Sequence, residues 1–328
     1  MRNNLLTLSM FSLILFTVQA QNTEVFKPSG KPEILIFTNF NSSFAESKNL
    51  NKFDVTRAYF GYSYNFSPSL SGRVTLDVGN PGAGKFQMTA MLKYGYLQYQ
   101  KEKLTVKFGM IGTNGYDVQE KFWGYRYIYK SFQDEYGMGP SADIGISASF
   151  KFNNVLSADA IIQNGEGFRS LDTDSVLKAG VGLTIRPIKN LVLRAYYDNM
   201  KKANATQQTT ALMAGYANKV ISLGAEYNYQ SDKGLLLGQD YSGFSFYATY
   251  FLNTKINLFA RYDYLNSANK TIQTLSWNYS KDGKLFMAGF EYIPVKGLKI
   301  SPNYQAWSSR NTSKSLISTL FLNVEIKL

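Results

Sequence analysis

Basic side chains recur in this 328-residue chain at alternate positions of short runs whose intervening positions are apolar. Arg57 stands beside Ala58 and Phe60, and Arg73 beside Val74 and Leu76; Lys93, Lys107, Lys178, Arg186, Arg194 and Arg261 stand in comparable runs further on. Lys151 and Lys299 extend the set, and the acids Asp77, Asp143, Asp159, Asp198, Glu226, Asp263 and Glu291 share its phase. Fixed charges of both signs on one face hydrate a wall, pair across neighbouring segments and set the field felt by passing ions. Covalent and metal chemistry is poorly served, because the chain has no His and no Cys. That removes Ser-His-Asp and Cys-His mechanisms and every His-ligated metal site. The expectation is a non-enzyme with no cofactor and no metal.

Two further cations, Arg126 and Lys130, lie in a different setting, the block EKFWGYRYIYKSFQDEYGMGP at 120–140. Phe122, Tyr125, Tyr129, Phe132 and Tyr136 recur there at spacings of three and four, which predicts one face of a short helix. Arg126, Lys130 and Asp134 then fall on a neighbouring stripe. An aromatic face needs burial, so the block is expected to fold inward, pack on a wall and present Arg126 and Lys130 as part of a constriction.

The elements that position these residues follow from period two. In FDVTRAYFGYSYNF the even positions Ala58 to Phe66 are apolar or aromatic, and the odd ones are mostly small or polar. SGRVTLDVG repeats the scheme, with SPS between them as a tight turn. Sixteen such strands are expected between residues 33 and 328, joined alternately by short turns (SPS, QKEK, FNN, RPIKN, NK, NTK, PVKG) and longer loops. AESKNLNK and KKANATQQ are read among the longer loops. Sorting of loop length by end describes a transmembrane antiparallel β-barrel. Sixteen strands leave an aqueous passage, and the long third loop folds into it.

Aromatic rings test the reading. Tyr64, Phe66, Tyr96, Phe152, Tyr250 and Tyr292 are expected on the lipid face at one end, and Tyr197, Tyr229, Tyr264 and Tyr304 at the other. Such belts suit an amphipathic ring at a membrane interface. The final run LISTLFLNVEIKL alternates to the last residue, as closure of a barrel by first-to-last pairing requires. Pro302 conflicts with this pattern, since a closed barrel has no free edge for a missing N–H; a bulge or a shifted boundary is expected there.

The N-terminus MRNNLLTLSMFSLILFTVQA has a positive start, an apolar run and a small-residue ending. It reads as a secretory signal peptide over 1–20, followed by a periplasmic extension over 21–31 and the barrel over 32–328. The excess of 35 basic over 23 acidic residues is spread along the chain. It points to lipid headgroups or an anion-attracting interior and gives no nucleic-acid footprint.

FDVTRAYFGYSYNFSPSLSGRVTLDVG, MLKYGYLQYQKEKLTVKFGMIGTNGY and EKFWGYRYIYKSF followed by SADIGISASFKF resemble the early strands, next hairpin and third loop of the phosphate-selective porin O and P family. The resemblance spans residues 53 to 152. It implies a trimeric, sixteen-stranded bacterial outer-membrane diffusion channel with an inward third loop, and it matches Arg57 and Arg73 to arginine-ladder positions. Acids interrupt the basic face almost as often as cations extend it, so passage of small hydrophilic solutes with a weak anion preference is expected. The competing reading is an adhesin or structural barrel acting through its loops.

Overall fold

Period-two sequence becomes strand in a computed structural model that describes residues 26–45, 48–79, 88–269, 276–311 and 313–328. The proposed signal peptide lies outside the described residues. Strands β1 (Ser29–Ala45), β2 (Lys48–Asn65), β3 (Leu70–Gly79), β4 (Thr89–Lys101) and β5 (Leu104–Gly112) precede two short helices, α1 (Asp117–Trp123) and α2 (Phe132–Glu135). There follow β6 (Ala142–Lys151), β7 (Leu156–Gln163), β8 (Lys178–Ile185), β9 (Leu191–Lys202), β10 (Ala205–Ala217) and β11 (Ile221–Ser231). A 3-10 turn (Lys233–Leu235) leads to β12 (Gln239–Phe251), β13 (Ile256–Asn269), β14 (Gly283–Val295), β15 (Leu298–Ser309) and β16 (Ile317–Lys327).

All sixteen strands pair antiparallel with their sequence neighbours, and β1 pairs with β16 from Leu35↔Lys327 to Phe44↔Ser318. The sheet therefore closes on itself with no free edge, the one arrangement of strands that satisfies every backbone group in lipid. No helix among the described residues is long and apolar enough to cross a membrane.

The faces follow the alternation. Val74 and Leu76 are exposed on the outside of β3 while Thr75 and Asp77 are buried within; in β16 Leu320 and Leu322 are outside, Thr319 and Asn323 inside. Short turns (66–69, 102–103, 152–155, 186–190, 218–220, 252–255, 296–297) gather at one end, and 113–141, 164–177, 232–238 and 310–316 at the other. Two expected long loops are absent. Of AESKNLNK, Ala45 ends β1 and 48–52 belong to β2, the two strands pairing out to Ala45↔Lys48, and KKANATQQ becomes a tight turn between β9 and β10 with Ala203 at positive φ. Their polar residues had read as loop, but ladder hydrogen bonds hold such sequence in strand once the chain has left the lipid depth.

Exposed aromatic rings stand outside at the short-turn end (Phe66, Phe152, Tyr250, Tyr292), whereas Tyr197 is exposed at the middle of β9. Tyr96 is a correction. The β3–β4 register shifts between Thr75↔Tyr94 and Leu76↔Leu92, leaving Lys93 as an extra residue. Such a bulge exchanges the faces of the residues beyond it. Tyr94 and Tyr96 consequently turn inward with Lys93, and the Lys107 ammonium sits 5.5 Å from the Tyr96 ring centre.

Pro302 stays within β15, opposite Leu322 of β16. Towards β14 the pairing runs to Gly289↔Asn303 and resumes at Tyr292↔Ile300, so the ladder skips the proline, and a register shift follows between Tyr292 and Val295. The missing N–H is accommodated by a gap in one ladder, with the bulge a few residues away.

Candidate functional site: the third loop and the lumen

Residues 113–141 leave β5, enter the barrel and return to β6. The aromatic block does not form one helix. Gly124, in the left-handed region at φ 74°, caps α1 with its N–H on the Glu120 carbonyl, and residues 125–131 turn irregularly before α2 starts. Glycine takes that conformation without a Cβ penalty. The Trp123 indole then donates to the Tyr129 carbonyl across the turn. Tertiary contacts replace the helical stripe: Trp123, Tyr125, Tyr127 and Ile128 pack with wall residues Phe37, Tyr247, Phe259, Leu285 and Met287 into one buried cluster. A second, Phe132 and Met138 with Tyr241 and Leu265, lies beside it. These inward apolar residues were missed in the sequence. Their signal is the apolar doublet within an alternating strand, as in Phe246-Tyr247, Leu258-Phe259 and Phe286-Met287, where both faces are apolar because each has an apolar neighbour.

Polar anchors complete the docking. Arg261, fully buried, grips Asp263 with Nε and Nη2, each at 2.8 Å, and donates through Nη1 to the Lys130 carbonyl at 2.8 Å. Its guanidinium lies between the Trp123 and Tyr129 rings, 5.0 and 5.3 Å from their centres. Arg194 binds Asp159 at 2.7 Å and the Asn114 carbonyl at 2.6 Å. The Tyr127 hydroxyl donates to Glu291 at 2.9 Å, Tyr136 to Asp263 at 3.1 Å, and the Gln133 amide to Asn228 at 2.9 Å. Each of these buried partners would be costly to leave unmatched, which makes the inward position of the loop well determined.

The two loop cations are not free charges. Arg126 bonds Glu120 at 2.8 Å and also Asp134, and its side chain is mostly covered. Lys130 is more exposed and stands 3.8 Å from Glu135. Burial pushes the Asp134 carboxyl up, but the charge and hydrogen bond of Arg126 bring it below the usual carboxylate range. At Glu120 and Glu135 burial outweighs the neighbouring cations and raises the carboxyls. Lys93 acts electrostatically on both Glu120 and Asp134 from the opposite wall.

The remaining basic residues divide by partner. Arg57 bonds Asp77 at 2.6 Å, Arg73 pairs with Glu33 at 2.6 Å, and Lys178 with Asp198 at 3.3 Å. Lys93 is buried against the Phe168 ring, 4.0 Å from its centre, and bonds Ser141. Lys107 and Arg186 have no carboxylate of the described residues within ion-pair distance; Arg186 sits just beyond β8 at the short-turn end. Lys299 bridges Glu291 and Glu325 at 3.4 Å each.

Two cavities flank the loop. One, of about 590 Å³ at the short-turn end, is lined by Lys107, Arg186, Arg194, Asp159 and a ring of Gln, Ser and Thr side chains, with Asn114, Asp117 and Lys121 from the loop. The other, of about 610 Å³ at the long-loop end, has Tyr129, Glu135 and Tyr136 of the loop as one wall. The third loop thus stands between an inner and an outer lumen compartment.

No protein-family model matches the sequence, and no curated protein matches it. Solved structures do match the fold. The outer membrane channel DcaP of Acinetobacter baumannii aligns with a TM-score of 0.70 at 12% identity, over 92% of this chain and 97% of that one. This chain has the porin fold. OprB of Pseudomonas putida aligns with the porin barrel at a TM-score of 0.71 and 9% identity, over 91% of this chain and 94% of its own. An anion-selective porin from Comamonas acidovorans aligns at 0.66 and 10%, over 92% and 100%.

Proposed function

We propose that this protein is a bacterial outer-membrane porin, passing small hydrophilic solutes by diffusion, without enzymatic activity. The observation that carries the reading is the third loop, pinned across a charged lumen between two solvent-sized compartments. An apolar exterior with interfacial rings suits insertion in outer-membrane lipid, the short turns then facing the periplasm. The signal peptide over 1–20 and a short periplasmic extension after it belong to this proposal, with Ser29 to Lys31 of the expected extension already paired in β1.

The constriction we assign runs between Glu120, Arg126 and Asp134 on the loop and Arg57, Arg73 and Lys93 on the facing wall. Lys130, Lys107, Lys178, Arg186, Arg194 and Arg261 belong to the lumen, with Arg261 and Arg194 as anchors of the loop. Because most cations are paired, the anion preference is weak; the phosphate-selective class enters only through Arg57, Arg73 and the uncommitted Lys107 and Arg186. A homotrimer is part of the proposal, one structural neighbour, OmpT of Vibrio cholerae, being described in a trimer form.

Planar-bilayer recording tests it. Stable open steps are expected from the purified protein; silence refutes the channel and favours an adhesin. Arg126→Glu with Lys130→Glu takes the Glu120–Arg126–Asp134 group from one net negative charge (two carboxylates, one guanidinium) to three. The reversal potential in a salt gradient should move towards cations, and an unchanged value sinks the constriction.

A further inference from the structure

Resting on the porin reading, we infer that the outer cavity is a binding subsite for a neutral saccharide, which names the class of solute. Its volume of about 610 Å³ falls within the range of small-molecule sites. Tyr136 and Trp307 present rings to the cavity, 6.0 Å apart and tilted by 37°, and Tyr241 adds a third, its ring centre 4.5 Å from that of Trp277 behind it. Gln305 and Asn278, whose NH2 groups bond Asn303 and Asp282, offer their amide oxygens, and Thr319 a hydroxyl shared with Ser43.

The tryptophans separate by role. The Trp123 indole donates to the Tyr129 carbonyl and that of Trp277 to the Asp240 carbonyl. The Trp307 indole, partly exposed at the cavity, has no hydrogen-bond acceptor among the described residues. A donor left open beside a ring face suits a ligand with a flat C–H face to stack and hydroxyls around its edge. A hydrocarbon would leave the side-chain oxygens of Gln305 and Asn278, which have no donor among the described residues, unmatched on losing water, and a simple ion has no use for the rings. Of the charges lining the cavity, Glu135 stands 3.8 Å from Lys130 and Lys233 donates to the Gly137 carbonyl and to Gln230, so both are engaged within the protein, which favours a neutral solute. The inner cavity also has neutral polar side chains, Gln98, Ser147 and Ser149, but beside several charges and without the paired rings.

The probe is maltotriose, read in two ways on the full chain. In detergent, calorimetry is expected to show binding that weakens about five- to ten-fold in Trp307→Ala and is restored only in part in Trp307→Phe, which keeps the stacking ring and lacks the indole donor. In bilayers, the sugar added at the long-loop side is expected to interrupt current in the wild type and not in Trp307→Ala, whose salt conductance stays as in the wild type. No binding by calorimetry, or equal binding in Trp307→Ala, overturns the subsite even where the channel conducts. Binding without conductance upholds the subsite and overturns the porin reading alone.

Discussion

Replacing Arg261 by Met should loosen the third loop while leaving the barrel closed. The guanidinium makes one charge-assisted bond to the loop, at the Lys130 carbonyl, and lies between two loop rings. Such a bond contributes about 1.5–3 kcal/mol, and the cation–π contacts about 0.5–2 kcal/mol. Together they stabilise the docked turn by roughly 2–5 kcal/mol, and about 1.4 kcal/mol corresponds to tenfold in a population. Opening of residues 124–131 should therefore become at least ~30-fold more frequent. The amides of Ile128 and Tyr129, both bonded to the Tyr125 carbonyl, report it by hydrogen exchange. Arg194 and the Tyr127–Glu291 and Gln133–Asn228 bonds remain, so the loop opens locally rather than leaving the lumen. Arg261→Lys keeps a charge beside Asp263 but loses the fork that spans to Lys130, and should fall between the two. Wild-type exchange in folded Arg261→Met would refute the anchoring role. In current records the same variant should show added open-channel noise.

Two more outcomes concern other parts of the molecule. Burial, with Lys178 adding, pulls the Lys233 ammonium at the outer mouth from 10.5 down to about 8. Between those values the unfolded chain binds more protons than the folded one, so stability rises with pH; the melting temperature should rise from pH 8 to pH 10 by more than in Lys233→Met, and parallel curves would count against this. Ending the chain after Asn323 removes the pairs from Thr38↔Val324 to Leu35↔Lys327 that close the barrel. Unpaired backbone in lipid costs several kcal/mol per group, so this variant should fail to form the heat-modifiable folded band on gels, and a normal band would contradict closure by these pairs.

The strand count, the inside and outside faces and the closing last strand were legible because lipid imposes a period of two that no other environment would require at such length. The inward third loop was legible as an aromatic block too apolar for water. Its internal shape was not: spacings of three and four suggested a helix, whereas Gly124 and the wall clusters decide the turn. Tyr96 was misplaced because one bulge at Lys93 reverses every later side chain, and nothing in MLKYGYLQYQ marks which residue is extra.

The sequence by itself determined that residues such as Arg57, Arg126 and Arg261 lie away from lipid, since the cost of a charge there is local and large. Only the tertiary structure decided their partners. Arg126 meets two carboxylates within its own loop, while Arg261 reaches the Lys130 carbonyl across 131 residues of chain. Coulomb and hydrogen-bond energies depend on distance in space, and separation along a barrel strand carries little of that distance.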